Sequence, residues 1–316
     1  MKTIKEAAQW LLDRDHYLIL THRRPDGDAV GSAVALCRGL RAMGKDAWIW
    51  ENPQFTPRYA GRLEGLVRQD VAEDAVIIAV DLASEGLLPV GGEIFAGKTQ
   101  LCLDHHPSNT GYAAETLVQA HMAACGELIW DLLEELQVSV DRDMAEAVYI
   151  AVSTDTGCFR FNNTTAHTFR IAAKAVEHGA QIGPINRELF EIKTKGRLQL
   201  EARLMDSMDF LADGKVAIAC LPQTWVEELG VTEDDLDAIS GFPRTNEGVC
   251  VGVMIRNSEA GKAKMSVRTA PGYNASAYCA HLGGGGHVAA AGCSVPGTLE
   301  DGKREILRVL REENVI

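Results

Sequence analysis

Residues 17–44, YLILTHRRPDGDAVGSAVALCRGLRAMG, pass from an apolar run through a short polar turn into a helical period that stops at a glycine. Tyr17 to Thr21 reads as a strand, and the spacing from about Ala29 to Met43 reads as a helix ending at Gly44. Outward from this unit the pattern repeats. Asp46–Trp50, Ala75–Val80 and Gln100–Leu103 are further strand candidates, the last two as continuous apolar runs of the kind buried on both faces. Helical periods follow at about 124–137, 141–154 and 165–179, the last ending at Gly179, and an amphipathic helix opens the chain in MKTIKEAAQWLLDRD. Strands alternating with helices predict an α/β fold, a parallel sheet covered on both faces.

The character changes near residue 187. Residues 187–211 read as one long helix, a connector with Leu, Met and Phe at helical spacing. Beyond it Lys215–Leu221, Val249–Ile255 and Lys264–Thr269 read as strands, some alternating, with a Thr232-capped acidic helix (TEDDLDAIS) between them and a charged helix at about 298–313. The expected division is therefore a parallel-sheet domain at 1–186, a helical connector at 187–211 and a smaller mixed-sheet α/β domain at 212–316. The chain has 316 residues and a net charge of −13, from 31 Lys and Arg against 44 Asp and Glu. Such charge argues against gripping a long nucleic acid by a broad basic face, and aromatic residues, at 6%, form no stripe for tracking a long strand. No apolar stretch approaches the ~20 residues that span a bilayer, and the eight scattered cysteines include no CxxC. Reduced thiols in a cytoplasm are the expectation.

Four segments place Asp or His just after strands or at a helix end: Thr21–Asp28 (THRRPDGD), Val80-Asp81, Leu103-Asp-His-His106 and Ser153-Thr-Asp155. Sites in open α/β sheets form outside the carboxyl ends of the strands, so the four segments are expected in one crevice. Gathering Asp26, Asp28, Asp81 and Asp155 costs several kcal/mol unless cations or protons neutralise them. Two divalent ions supply +4, and oxygen ligation with one or two imidazoles suits Mn²⁺ or Mg²⁺. Each residue alone has a plainer use. Asp28 suits a helix N-cap, Asp81 a turn cap, and His105 and His106 a core and a surface histidine. Asp155 is harder to dismiss, because a carboxylate at a helix C-terminus is unfavourable without a cation. Gly27 is expected to let the turn bend sharply enough for Asp26 and Asp28 to address different ions.

In order and spacing, HRRPDGDAVGS, AVDLAS, LDHH and STDTGCFR resemble the motifs of the DHH phosphoesterase superfamily, and FNNTTAHT, MSVRT and GGGGHVAAAG extend the resemblance through its DHH-associated carboxy-terminal domain. It covers essentially the whole chain, most like the compact NrnA-type oligoribonucleases (nanoRNases) that also dephosphorylate 3′-phosphoadenosine 5′-phosphate (pAp). The resemblance implies one metal on His22, Asp26 and Asp81, and a second on Asp28, Asp81, His105 and Asp155. Mn²⁺ is the expected ion, with Mg²⁺ or Co²⁺ as substitutes. It implies that Asp104 orients a histidine and that His106 contacts the substrate or donates a proton. Catalytic roles fall on His106, Asp81 and Arg160.

In the second domain, Gly283, Gly284, Gly285 and Gly286 with His287 are read as an anion-binding loop, with a following helix start adding its positive end. A hairpin loop or tight packing is the plainer alternative. Arg268 is read as a phosphate contact or an exposed strand-edge arginine. The expected activity is two-metal hydrolysis of short oligoribonucleotides (2–5 nucleotides) to 5′-mononucleotides, of pAp, or both. Expected partners are short RNA or pAp, with no membrane, no long nucleic acid and possible homodimerisation. The competing readings are a phosphodiesterase of cyclic dinucleotides or their linear products, a manganese inorganic diphosphatase, and a non-catalytic nucleotide sensor.

Overall fold

The computed structural model describes residues 2–236, 239–258 and 261–316, which form two compact units, Met1–Ile192 and Lys193–Ile316. In the first, strands β1 (Tyr17–Leu20), β2 (Ala47–Trp50), β3 (Val67–Arg68), β4 (Val76–Val80), β5 (Leu101–Asp104) and β6 (Glu115–Val118) form one parallel sheet in the order β3-β2-β1-β4-β5-β6. The order reverses between β1 and β4, where chain connections leave in opposite directions and open a crevice at the carboxyl edge.

Side chains alternate across each strand and divide the core accordingly. Tyr17 and Ile19 pack on the face that carries the helices Ile4–Leu12, Gly27–Ala42, Cys125–Glu135 and Arg142–Asp155. Leu18 and Leu20 face the other way, onto Trp50, Ile77, Leu82, Leu88 and Phe95. Both faces are covered, but the second is roofed by the segment 82–95, which holds only two short 3₁₀ turns, Glu85–Leu87 and Gly92–Phe95. Its apolar spacing is too brief to nucleate an α-helix.

The helices on the first face meet through small residues. A side chain on Gly31 would place its Cβ 2.3 Å from the Ala147 carbonyl oxygen, and one on Gly126 would come 2.5 Å from the Ala151 methyl. This close crossing brings the starts of Gly27–Ala42 and Cys125–Glu135 near the end of Arg142–Asp155.

The long connector helix expected over 187–211 is broken. A short helix (Ile182–Asn186) runs into a π-helical turn, Arg187–Glu191, and Ile192 is extended at ψ 127°. A new helix, Lys195–Ser207, then starts behind Thr194. The Thr194 hydroxyl accepts from the Arg197 N–H at 3.0 Å and donates to the Asp235 carboxylate at 2.7 Å, so a local cap overrides the continuing apolar spacing.

In the second unit, β7 (Asp209–Leu211), β8 (Val216–Leu221), β9 (Val251–Ser258), β10 (Lys262–Thr269), β11 (Gly285–Gly286) and β12 (Ala290–Pro296) form a sheet in the order β11-β12-β10-β9-β8-β7. Among the described residues only β8 and β9 pair in parallel, so the sheet is mixed. One face packs on Ala275–Ala280 and Leu299–Glu312, and the other on Lys195–Ser207. The acidic helix is short, Glu233–Leu236, and Asp237 and Ala238 of that expectation lie outside the described residues. Its charges do not all face water: Asp235 is buried, accepting from Thr194 and from Thr232.

Candidate metal centre and the glycine loop

His22 follows β1, Asp81 follows β4, and Asp104 ends β5 with His105 and His106 behind it. These three strands are neighbours, so their carboxyl ends deliver the side chains to the switch point of the sheet. Asp26 and Asp28 come from the turn that starts Gly27–Ala42, and Asp155 is the last residue of its helix.

Three donor groups have ligand atoms within 4.8 Å of one another: His22, Asp26 and Asp81; Asp28, His105 and Asp155; and Asp81, His105 and His106. They interlock. The His22 Nε2 lies 3.6 Å from one Asp81 oxygen and 3.8 Å from Asp26. The His105 Nε2 lies 3.5–3.6 Å from Asp28, Asp81 and Asp155. Asp81 therefore faces both histidines. It is buried, its backbone is left-handed at φ +53°, and its Oδ1 has no hydrogen-bond partner. A buried carboxylate oxygen left unpaired in a strained residue is costly unless a cation is meant to meet it. Oxygen and imidazole donors without thiolate fit a divalent cation of the Mg²⁺ or Mn²⁺ kind.

The electrostatics agree. Burial, reinforced by Asp81, Asp155 and Asp26, pushes the Asp28 carboxyl well above its ordinary range, and burial likewise raises Asp81. Asp155 is raised to about 7, by burial first and then by Asp26 and Asp81, although His105 opposes the shift. Burial works against charge on His22, but the Asp26 and Asp81 carboxylates overcome it and raise the ring to about 11. Without a cation the cluster holds more protons than free side chains would.

The N-cap of Gly27–Ala42 is Asp26, whose carboxylate accepts from the N–H groups of Asp28 and Ala29 at 3.0 and 3.1 Å. Asp28 caps a different helix. Its two oxygens accept from the N–H groups of Cys125 (2.6 Å) and Gly126 (2.9 Å), at the positive end of Cys125–Glu135. Gly27 has no left-handed backbone; it admits Thr154, whose side chain would lie 2.5 Å from an added Cβ. Its smallness serves a close approach rather than a sharp turn.

Asp104 stands behind His106. Its Oδ1 accepts from the His106 Nδ1 at 2.8 Å and from the His105 N–H at 2.8 Å, and its Oδ2 accepts from Asn109 at 2.6 Å. The bond to Asp104 raises His106 to about 9, against the effect of burial. Arg160 is exposed on the loop after Asp155, its Nε donating to the Gly157 carbonyl at 2.5 Å. Sequence reasoning missed three supports: Asn109, Ser32, which donates to Asp28 at 3.1 Å, and Asn52, which donates to the His22 carbonyl at 2.9 Å. The nearest signal was position alone, since Asn109 and Asn52 each follow a strand end by a few residues.

In the second unit, no helix follows the four glycines. Gly285 and Gly286 pair with β12, and Ala290 onward continues as that strand against β10. An unbroken ladder to Lys262–Thr269 satisfies the backbone of Ala290–Pro296, so the expected dipole is absent there. Gly284 is required by packing, because a Cβ would fall 2.2 Å from the Gly292 carbonyl oxygen, whereas Gly283 and Gly285 face open space. His287 is exposed, its N–H donating to the Ala290 carbonyl. Arg268 is half-buried; it donates to Ser240 at 3.0 Å and to the Val267 carbonyl.

Residues 16–152 match the N-terminal domain of the DHH family, and residues 213–314 match the DHHA1 domain. A bifunctional oligoribonuclease and PAP phosphatase, NrnA, of Thermus thermophilus is 32% identical over 306 residues, covering 93% of this chain and 89% of its own. Among solved structures, an exopolyphosphatase-related protein of Bacteroides fragilis has a TM-score of 0.87 at 21% identity, covering 98% of this chain and 95% of that one. RecJ of Thermus thermophilus in complex with Mn²⁺ has a TM-score of 0.54 at 17% identity, covering 98% of this chain and 55% of RecJ. At these identities the two structures speak to the fold.

Proposed function

The chain belongs to the DHH family, and from that premise we propose that it is a metal-dependent phosphoesterase that hydrolyses short oligoribonucleotides to 5′-mononucleotides and removes phosphate from pAp. The observation that carries this reading is the set of interlocking donor groups sharing Asp81 and His105. NrnA, similar over nearly the whole chain, carries both activities in its name.

The residues take the following roles. His22, Asp26 and Asp81 would hold one cation, and Asp28, Asp81, His105 and Asp155 would hold a second, with Mn²⁺ the favoured ion. Bound there, divalent cations supply Lewis acidity toward water and the phosphoryl oxygens. Asp104 fixes His106 through Nδ1 and keeps it charged, leaving Nε2 to donate a proton to the departing oxygen. Arg160 lies close in sequence to Asp155 and steadies a phosphate. Residues 1–186 carry the chemistry, and residues 212–316 bind substrate through Arg268, Gly283–Gly286 and His287.

The acidic net charge supports short substrates over long polyanions. All eight cysteines are free, which suits a reducing cytoplasm. Among the described residues no helix is long and apolar enough to cross a membrane.

The test is a hydrolysis panel with Mn²⁺, wild type against Asp81→Ala. Its substrates are a 5′-phosphorylated dinucleotide, a ~24-nucleotide strand, pAp, a cyclic dinucleotide and inorganic diphosphate. Turnover of the dinucleotide and pAp, lost by a factor of about 10³ in the variant, is the expected result. Dominant cleavage of diphosphate or of the long strand overturns the substrate assignment.

A further inference from the structure

A cavity of about 310 Å³ opens in the first unit, lined by Trp50, Glu51, Pro53, Gln69, Val90 and Gly91. Trp50 is the last residue of β2 and Gln69 the first after β3, so the cavity sits at the carboxyl edge of the sheet, where such folds take ligands. Its size falls at the lower end of the range for small-molecule sites.

Both walls are tied to the segment that carries the candidate ligand His22: one to His22 itself, the other to its neighbour Arg23. Asn52, two residues beyond Trp50, donates to the His22 carbonyl at 2.9 Å. From the other wall, the Leu87 carbonyl accepts from the Arg23 N–H at 2.7 Å, and the Arg23 guanidinium reaches the Gly86 carbonyl. The indole of Trp50 is held edge-on to Phe95, ring centres 5.4 Å apart, and the backbone of Gly91 runs along it at φ +83°. The roofing segment contributes Val90, 59% exposed, and also exposes Leu87 and Ile94 nearby. Glu51 and Gln69, both exposed, are the polar side chains of the lining.

We propose that this cavity is a subsite for an amino-bearing purine of the substrate, adenine above all; the proposal rests on the phosphoesterase reading above. The accessible edge of Trp50, which is 9% exposed, and the exposed Val90 give the apolar contact that a base requires. A carboxylate accepts from an exocyclic amine, and a glutamine amide pairs with the neighbouring donor and acceptor of an adenine edge. A diphosphate, lacking any apolar surface, has no use for this lining.

The experiment has two arms on the full chain. In the first, adenosine is titrated without divalent metal while backbone and indole N–H signals are followed by NMR. Shifts confined to the Trp50 indole, Gln69 and Gly91 are expected at millimolar ligand, with at least tenfold weaker binding in Glu51→Ala/Gln69→Ala. Shifts elsewhere only, no shifts, or equal binding by the variant overturn the subsite. The second arm compares kcat/KM for an adenine dinucleotide with the two dinucleotides lacking one base. Wild type is expected to favour the intact substrate at least tenfold over one of them, the variant by no more than twofold. An unchanged ratio overturns the proposal. Absence of turnover on every dinucleotide and on pAp defeats the phosphoesterase reading instead, and the adenosine titration then still decides the cavity.

Discussion

Asp104 shows how much of a site lies behind the groups that face the substrate. Four donors converge on it, the N–H groups of His105 and His106, the His106 ring and the Asn109 amide. Asp104→Asn keeps the size but weakens the hold on His106, and is expected to lower kcat 10- to 100-fold with a smaller change in KM, read by steady-state kinetics. The acids of the candidate metal centre predict a pH dependence of the metal-free chain. Asp155, raised to about 7, destabilises the fold as pH climbs from its unfolded value of 3.8 through 7. His22, raised to about 11, contributes stability that is complete below 6.5 and fades as pH rises through 11. Both signs agree, so the metal-free Tm is expected to be higher at pH 6 than at pH 8. Added Mn²⁺ is expected to raise Tm more at pH 8, because its ligands must shed protons to bind. A melt series at both values with and without metal checks this, and a Tm that rises with pH in the metal-free chain contradicts it.

The site's elements were legible to different degrees. β1, β4 and β5 announced themselves as continuous apolar runs because both their faces are buried, and the Asp and His residues behind them followed from the rule for strand ends. β6 passed unnoticed, since as an edge strand it buries only Leu117 completely and its sequence, ETLV, carries little periodicity. The break at Ile192–Thr194 was hidden for the opposite reason, a helical spacing that continues through a cap. Gly126 gave no signal at all, because its partner, the Ala151 methyl, is brought to it only by the crossing of two helices. That crossing is testable. Gly31→Val pushes a side chain onto the Ala147 carbonyl and is expected to cost about 1–3 kcal/mol or more. It should also weaken Mn²⁺ binding, since the helices it separates carry Asp28 and Asp155. Urea denaturation and metal titration measure the two effects.

At the scale of the whole chain, the residues of the two units belong to separate cores. The main cluster of the first runs from Ala7 to Ile185, and those of the second from Leu200 to Leu310. Each unit is expected to fold when expressed alone, as 1–192 and 193–316, with dispersed NMR spectra and cooperative melts. Mn²⁺ is expected to raise the Tm of the first by several degrees and leave the second unmoved, because every residue of the donor groups precedes position 156. The switch between β1 and β4 has a consequence for synthesis on the ribosome. The first candidate ligand, His22, leaves the exit tunnel long before Asp81, and the candidate set is complete only when Asp155 has emerged. Until then the growing chain can complete only the donor groups that do not need Asp155. Thereafter the first unit is free to complete the candidate site while the second unit, from Lys193 onward, is still being made.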